Sequence, residues 1–158
     1  MKRKTIIRTI TILGFAGVLI GGGIGLYMFN MPHRDVQSAK VDYSLTSIQI
    51  VSEYLSDKSV ANRKYLASDD DSKILEITGE VSKISENFNG QKVVLLKGIA
   101  DKAGVSATFT PETNKNLEGV EPGQTITVKG VIRSGASFDE DLDLYENVIL
   151  EKSDVVKK

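Results

Sequence analysis

One stretch decides the fold of this 158-residue chain, Leu117-Glu118-Gly119-Val120-Glu121-Pro122-Gly123-Gln124-Thr125-Ile126-Thr127-Val128-Lys129-Gly130. Its Pro122-Gly123 pair is a turn signal, because Pro fixes φ and Gly tolerates the backbone conformations that a turn needs. Ile126 and Val128 then alternate with polar neighbours, which predicts a strand with one buried face. The stretch therefore predicts a short link, a tight turn and a strand over 125–132.

Other segments of the chain carry similar strand patterns. Leu75, Ile77 and Val81 alternate with polar residues, and the Asn89-Gly90 pair that follows is a strong hairpin signal. Further strands are predicted over 93–99, 105–110 and 145–151, with one helical turn over 113–117 and a loop over 134–143. Five strands with a helical link between the third and fourth have the strand order of an OB-fold barrel. The strand count alone also suits an SH3-like barrel or a small sandwich.

The N-terminal region predicts a membrane anchor. Ile10 to Phe29 form an uncharged run of twenty residues, and basic residues precede it. A helix of that length spans about 30 Å, the thickness of the bilayer hydrocarbon. By the positive-inside rule the N-terminus is cytoplasmic and the chain after about residue 31 is exported. A cleaved signal peptide is the alternative, with Gly23-Ile24-Gly25 as its exit site.

A stripe of glycines lies within this predicted span. Gly17, Gly21 and Gly25 are spaced four residues apart, so a helix would place them on one face. Small residues at that spacing allow two membrane helices to approach closely, which suggests a homodimer through this helix. Since glycine is common in membrane helices, the spacing also arises by chance.

A helical neck is predicted between the anchor and the strands. Thr46 and Gln49 fit a capping box, and Ile48, Val51 and Leu55 fall on one helical face. A second helix begins after Asp57, and the acidic run at 67–72 ends it. We therefore predict a mainly β chain, a five-stranded OB-fold barrel preceded by an N-terminal transmembrane helix and a short helical neck. The predicted divisions are a cytoplasmic tail and anchor (1–31), a neck and acidic linker (32–72), a barrel (73–152) and a polar tail (153–158).

The charge of the exported part argues against nucleic acid as the ligand. Lys2, Arg3, Lys4 and Arg8 precede the apolar run, so residues 32–158 keep 16 of the 20 basic residues and all 21 acidic ones, a net charge of −5. Nonspecific binding to phosphate backbones needs clustered cations. The chain also has no Cys, which excludes a lipoprotein anchored through a diacylated cysteine and any cysteine-ligated zinc site.

The candidate ligand-binding residues lie in two loops at the barrel mouth. Phe88 and Asn89 belong to the first hairpin loop, and Phe138, Asp139 and Asp141 belong to the loop before the last strand. The two Phe side chains suggest an apolar clamp across the mouth, although each could instead pack on its own end of the barrel. The acidic residues of the second loop lack the spacing of a calcium site, so no metal and no cofactor is expected.

The residue inventory gives an enzyme no obvious active site. The single His, His33, lies two residues beyond the predicted membrane boundary, and there is no Cys, so a Ser-His-Asp or Cys-His site in the barrel would have no base. Glu76 and Glu80 are four residues apart on a strand, about 13 Å, which is too far for a glycosidase pair. No catalytic residue is assigned, and we expect the protein not to be an enzyme.

Several motifs resemble the tRNA_anti-like family of small membrane-anchored OB-fold proteins, found mostly in Bacteroidota. The resemblance covers nearly the whole chain from Tyr27 onward, and it departs from the family at the acidic insertion 68–72. Ala107 and Val148 stand where some relatives carry cysteines, which removes any disulfide. The matching segments are Tyr27, Asn30, Pro32-His33-Arg34-Asp35-Val36, Ala61-Asn62-x-Lys64-Tyr65-Leu66 and Ile77-Thr78-Gly79-Glu80-Val81.

The resemblance implies a membrane-anchored OB fold and hardly specifies a function. We expect a noncatalytic binding module in the cell (inner) membrane, with a single span and an extracytoplasmic, periplasmic barrel that binds a protein or an envelope component. The alternative is a module that binds single-stranded nucleic acid or an oligosaccharide.

Overall fold

The computed structural model describes residues 21–24, 35–67 and 71–157. The chain divides into two compact units, Met1–Asp35 and Val36–Lys158. Residues 21–24 of the first unit are helical, while the rest of the predicted anchor, with Gly17 and Gly25, lies outside the described residues. Among the residues described, no helix is both long and apolar enough to cross a membrane.

The second unit is mainly β. Its helices are α1 (Ser47–Ser56), α2 (Lys58–Tyr65) and a 3-10 helix (Asn114–Leu117). Its strands are β1 (Tyr43–Thr46), β2 (Ile74–Glu86), β3 (Lys92–Leu96), β4 (Val105–Phe109), β5 (Thr125–Ser134), β6 (Ser137–Asp139), β7 (Leu144–Glu146) and β8 (Val148–Val155).

Five of these strands close into a barrel. The order is β2-β3-β4-β8-β5, and β5 pairs back to β2. All neighbours are antiparallel except β4 and β8, which are parallel. This closed order, with the 3-10 helix between β4 and β5, confirms the predicted OB-fold barrel.

The barrel forms because the strands alternate as the sequence predicts. Leu75, Ile77 and Val81 are fully buried. Gly90 (φ 72°) and Gly123 (φ 89°) occupy the two predicted turns in the left-handed region that favours glycine. Several boundaries differ from the prediction, since β2 extends to Glu86, β3 ends at Leu96 and β8 runs through Val155.

The two helices begin where the sequence predicts. Thr46 and Gln49 form a reciprocal capping box, in which the Gln49 amide donates to Thr46 Oγ1 and the Thr46 amide donates to Gln49 Oε1. The Asp57 carboxylate accepts the Val60 amide at the start of α2. Each cap satisfies backbone donors that the first turn leaves without a partner.

The buried face of α1 differs from the prediction. Ile50, Val51 and Tyr54 are buried, whereas Ile48 and Leu55 are 61% and 37% exposed. Ile48, Val51 and Leu55 share one helical face, as the sequence indicates, but of these three residues only Val51 is buried. The helix turns Tyr54 toward the core, where its ring packs near Tyr65 of α2 with the ring centroids 6.0 Å apart.

Close contacts at two glycines hold α1 on the barrel. A Cβ added to Gly79 of β2 would lie 2.7 Å from Ser47 Oγ, and one added to Gly135 would overlap the Tyr54 ring. Only glycine allows this approach without displacing the helix. The core of the neck and the core of the barrel consequently form one hydrophobic cluster.

Two strand pairs were not anticipated from the sequence. Strand β1 pairs in parallel with the first half of β2. The predicted loop 134–143 contains β6, which pairs with β7 in a separate two-stranded sheet. The prediction of a last strand starting at 145 was wrong, because residues 144–146 form β7 and the barrel strand β8 begins at Val148.

Candidate functional site

The outer surface of β3 and β4 is the first candidate site, since OB domains commonly bind ligands there. Val93 lies beside Thr108, and Leu95 lies between Lys83 and Ser106. Ile149 of β8 lies beside Ser106 and extends the row of Lys83, Leu95 and Ser106. We call this surface the β3–β4 face. The outward side chains of the residues just named are aliphatic or carry a hydroxyl group, apart from the cation Lys83. None of these residues has an aromatic ring.

The first hairpin loop, residues 87–91, is rigid in its backbone and exposed at its tip. The side-chain oxygen of Asn87 accepts the amides of Asn89 and Gln91. The side chain of Asn114 ties the loop to the 3-10 helix by donating to the Gly90 carbonyl. Phe88 is fully exposed at the tip, so the idea that it packs on its own end of the barrel was wrong.

The second loop is a β-hairpin built by β6 and β7. The Asp139 carboxylate accepts the amides of Asp141 and Leu142, so it stabilises the turn. Asp141 is exposed in that turn. Among the residues described, no group of His, Cys, Asp or Glu is arranged to hold a metal ion.

The structure does not bring the two predicted loop aromatics together. The loop with Phe88 follows the end of β2 at Glu86, whereas the end of β5 lies beside the start of β2, where Ile74 pairs with Val131. Strand β2 has 13 residues, so the loops lie at opposite ends of a long strand. Within the described residues, none of the ring contacts involves Phe88. An apolar clamp between the two Phe side chains is therefore not formed.

An aromatic and cationic cluster that was not anticipated surrounds Phe138. The Phe138 and Tyr145 ring centroids are 4.8 Å apart, and Lys102 Nζ lies 5.6 Å from the Tyr145 centroid. A cavity of about 470 Å³ adjoins this pair, with Lys58 and Tyr54 in its wall. The sequence signal for this pair was weak, because β6 and β7 have only three residues each in an acidic stretch; their pairing places Phe138 opposite Tyr145.

A polar cavity of about 430 Å³ lies between α2 and one end of the β3–β4 face. Asn62, Ser106, Ser134 and Asn147 contribute polar groups to its wall. The Asn62 Oδ1 atom is buried without a hydrogen-bond partner among the described residues. The cavity can therefore accept a hydrogen-bond donor from a small polar group.

The shifted pKa values belong mainly to the helix pair. The hydrogen bond from the Lys64 ammonium lowers the pKa of the Glu53 carboxyl, which also accepts the Tyr65 hydroxyl at 2.8 Å. Burial raises the pKa of Tyr54 to about 12. Both effects follow from packing α1 against α2, and the hydrogen bonds of Glu53 to Lys64 and Tyr65 join the two helices.

Of the predicted dimer glycines, Gly21 lies in the described helical residues 21–24. No described atom would lie within 4 Å of a Cβ added there. Dimerisation through this helix stays a prediction.

Comparison with known proteins places the fold in context. A family model described as tRNA_anti-like matches residues 1–141. No curated protein matches the chain. Among solved structures, the chain is similar to a "putative nucleic acid-binding lipoprotein" from Klebsiella pneumoniae subsp. pneumoniae MGH 78578. That match has a TM-score of 0.53 and 17% identity, and it covers 80% of this chain and 100% of the other. At this identity the likeness concerns the fold.

Proposed function

The chain belongs to the tRNA_anti-like family, and we propose that it is a noncatalytic OB-fold binding module of the cell envelope. It is attached to the cell membrane by a single N-terminal span, with its N-terminus in the cytoplasm and its barrel outside. The barrel and its neck bind a protein or another envelope component.

The observation that carries this proposal is the composition of the β3–β4 face. Proteins that bind single-stranded nucleic acids stack bases on aromatic rings and follow the backbone with cations. Here the face presents Val93, Leu95, Ser106 and Thr108 instead. Aliphatic and hydroxyl groups on a net-acidic domain favour a protein or another envelope component over a polyanion.

The attachment to the membrane is supported by the apolar run at 10–29 and by the envelope location implied in the description of the Klebsiella protein as a lipoprotein. This chain has no Cys that could carry a lipid. A transmembrane helix would replace that anchor, and Gly17, Gly21 and Gly25 would then be available for a helix dimer.

A second candidate function is binding of single-stranded nucleic acid or an oligosaccharide. It is favoured by the ring pair of Phe138 and Tyr145, which lies beside Lys102. The description of the Klebsiella protein as nucleic acid-binding points the same way. Such a ligand would lie at the β6–β7 end of the barrel.

Fluorescence anisotropy separates the two candidates. Labelled single-stranded DNA and RNA are titrated with the full chain in detergent micelles at low and moderate salt. We expect no binding at either salt. Micromolar binding that weakens steeply with salt, and that is lost in Phe138→Ala but kept in Phe88→Ala, would establish the second candidate.

Cysteine labelling tests the topology. Because the chain has no Cys, Ser82→Cys on the exposed surface of β2 and Thr5→Cys near the N-terminus each provide a unique thiol. We expect a membrane-impermeant maleimide to label Ser82→Cys in intact spheroplasts and to label Thr5→Cys only after lysis. The reverse pattern would refute an exported barrel.

A further inference from the structure

A groove with mostly apolar walls runs along the outer side of α1. Its first part is a cavity of about 300 Å³ between Ile48 and Leu55 of the helix and residues 100–103 of the loop after β3. Its second part is the cavity of about 470 Å³ beside Phe138 and Tyr145. Leu55 and Lys102 line both cavities, so the two parts are adjacent. We call this feature the α1 groove.

The groove exposes side chains that a helix packed on a core would normally bury. Ile48 is 61% exposed, Leu55 37% and Phe138 43%. Ile99, in the loop that forms the opposite wall, is fully exposed. A cluster of exposed apolar side chains of this kind on a small domain marks an interaction site.

Two lysines border this apolar floor without a carboxylate to pair with. In the part of the chain that the structure describes, the ion pairs involve neither Lys58 nor Lys102. Asp101, which lines the first cavity beside Lys102, uses its carboxylate to accept the Gly98 amide at 2.7 Å. Two lysine ammonium groups therefore border an apolar surface on a domain with an excess of acidic residues. Charge complementarity at this surface favours a partner that supplies carboxylates.

The spacing along the groove matches that of a helix. Ile48 and Leu55 are seven residues apart, about 10.5 Å along α1. A second helix lying beside α1 would present its own side chains seven residues apart at the same interval. A nucleic acid fits less well, because aromatic rings line only the second cavity.

From these observations we infer that the α1 groove binds an amphipathic helical segment of a partner protein. Apolar side chains of the segment, seven residues apart, pack beside Ile48 and Leu55 in the groove, and adjacent carboxylates meet Lys58 and Lys102. This inference rests on the proposed function and specifies the chemistry of its protein partner.

Synthetic peptides test the inference directly. The probes are two labelled helical peptides of about 15 residues. Both carry apolar residues seven apart, and the flanking charged positions are all Glu in one and all Lys in the other. Anisotropy is measured with the full chain in detergent micelles. We expect the Glu peptide to bind at least about tenfold more tightly than the Lys peptide, and a double Lys58→Glu, Lys102→Glu variant to invert that preference.

Matched variants test the apolar floor. Ile48→Glu lies in the groove, and Val60→Glu makes the same kind of change on α2, where Val60 is 50% exposed and lines neither part of the groove. We expect Ile48→Glu to lower the affinity for the Glu peptide at least about tenfold and Val60→Glu to leave it unchanged. Equal binding of both peptides, or equal effects of the two variants, would overturn the inference.

Crosslinking in cells separates failure of the groove from failure of the proposed function. A photoreactive amino acid is placed at Ile48, Val60 or Ser106. Protein adducts at Ile48 that map to an acidic amphipathic segment, and are absent at Val60, support the inference. An Ile48 adduct with a second copy of this chain, or with nucleic acid, would overturn it. Adducts with a protein at Ser106 alone would overturn the groove and leave the proposed function standing.

Discussion

Gly135→Ala tests how tightly the helical neck is joined to the barrel. A Cβ at this position would lie well inside 3.0 Å of three ring atoms of Tyr54, closer than real Cβ atoms come to any neighbour. Tyr54 is almost fully buried, and α1 is held at a second point where Ser47 lies against Gly79. The ring therefore cannot yield by a simple rotation, and the helix must move away from the barrel.

The expected cost lies between two limits. Small adjustments to an overpacked core cost about 1–3 kcal/mol. Complete expulsion of the Tyr54 ring would uncover roughly 150–200 Å², which at about 25 cal/mol per Å² amounts to about 4–5 kcal/mol. Because three ring atoms overlap the added methyl group, we expect a destabilisation of about 3 kcal/mol, near the top of the first range. The melting temperature should fall by about 10 °C.

Urea unfolding of the full chain in detergent, followed by circular dichroism, measures this cost. Gly119→Ala is the control, since Gly119 has a positive φ of 80° but no atom within 4 Å of an added Cβ. It should cost only the backbone strain, about 1 kcal/mol. In a Tyr54→Ala background, Gly135→Ala should cost less than about 0.5 kcal/mol. An undiminished cost in that background would refute the assignment to Tyr54.

Three further predictions concern the neck and the segment that leads into it. Glu53→Gln should cost about 0.5–1 kcal/mol at pH 7. Because Lys64 lowers the pKa of the Glu53 carboxyl, its stabilising effect is full above the ordinary glutamate pKa and is lost as the pH falls through the lowered pKa, so the difference between the two proteins should shrink in acid; a difference that does not change with pH would contradict this. Tyr54→Phe should unfold at the same or a higher urea concentration, since the Tyr54 hydroxyl is buried without a partner among the described residues. Lys129→Met should speed amide exchange at 36–41, because Lys129 Nζ donates to the carbonyls of Gln37 and Ala39, whereas Lys115→Met on the exposed 3-10 helix should not.

The fold was predictable where local chemistry and the final packing agree. The capping box joins Thr46 and Gln49, which are three residues apart in the chain, and Gly90 accepts a left-handed turn conformation that other residues resist. The alternation around Ile77 indicates a strand with one buried face, and it does so whichever element packs against that face. These signals depend only on residues that are close in sequence, so they can be interpreted without knowledge of the tertiary structure.

The predictions were wrong where distant packing decides between similar residues. Ile48 and Ile50 are the same residue type, but Ile50 is buried in the core with Tyr54 and Tyr65, whereas Ile48 is 61% exposed. Strand β6 lies in an acidic segment with little apolar periodicity, and it forms because Phe138 packs on Tyr145. The α1 groove depends on the first of these differences, because Ile50 and Tyr54 are buried in the core and leave Ile48 and Leu55 exposed.

The boundary between neck and barrel leads to a final prediction, because the neck closes one end of the barrel. Ile50, Tyr54 and Tyr65 share a single core with Leu75 and Ile77. Removing residues before 73 would uncover the barrel side of that core, where the lost burial of about five neck side chains at 1.5–3 kcal/mol each is comparable to the whole stability of a small domain. A fragment of residues 36–158 should therefore unfold cooperatively in urea, while a fragment of residues 73–158 should bind the dye ANS and lack a sharp transition. A cooperative transition of the shorter fragment at the same urea concentration would show that the neck is only a spacer, and it would remove the structural reason for the position of the α1 groove.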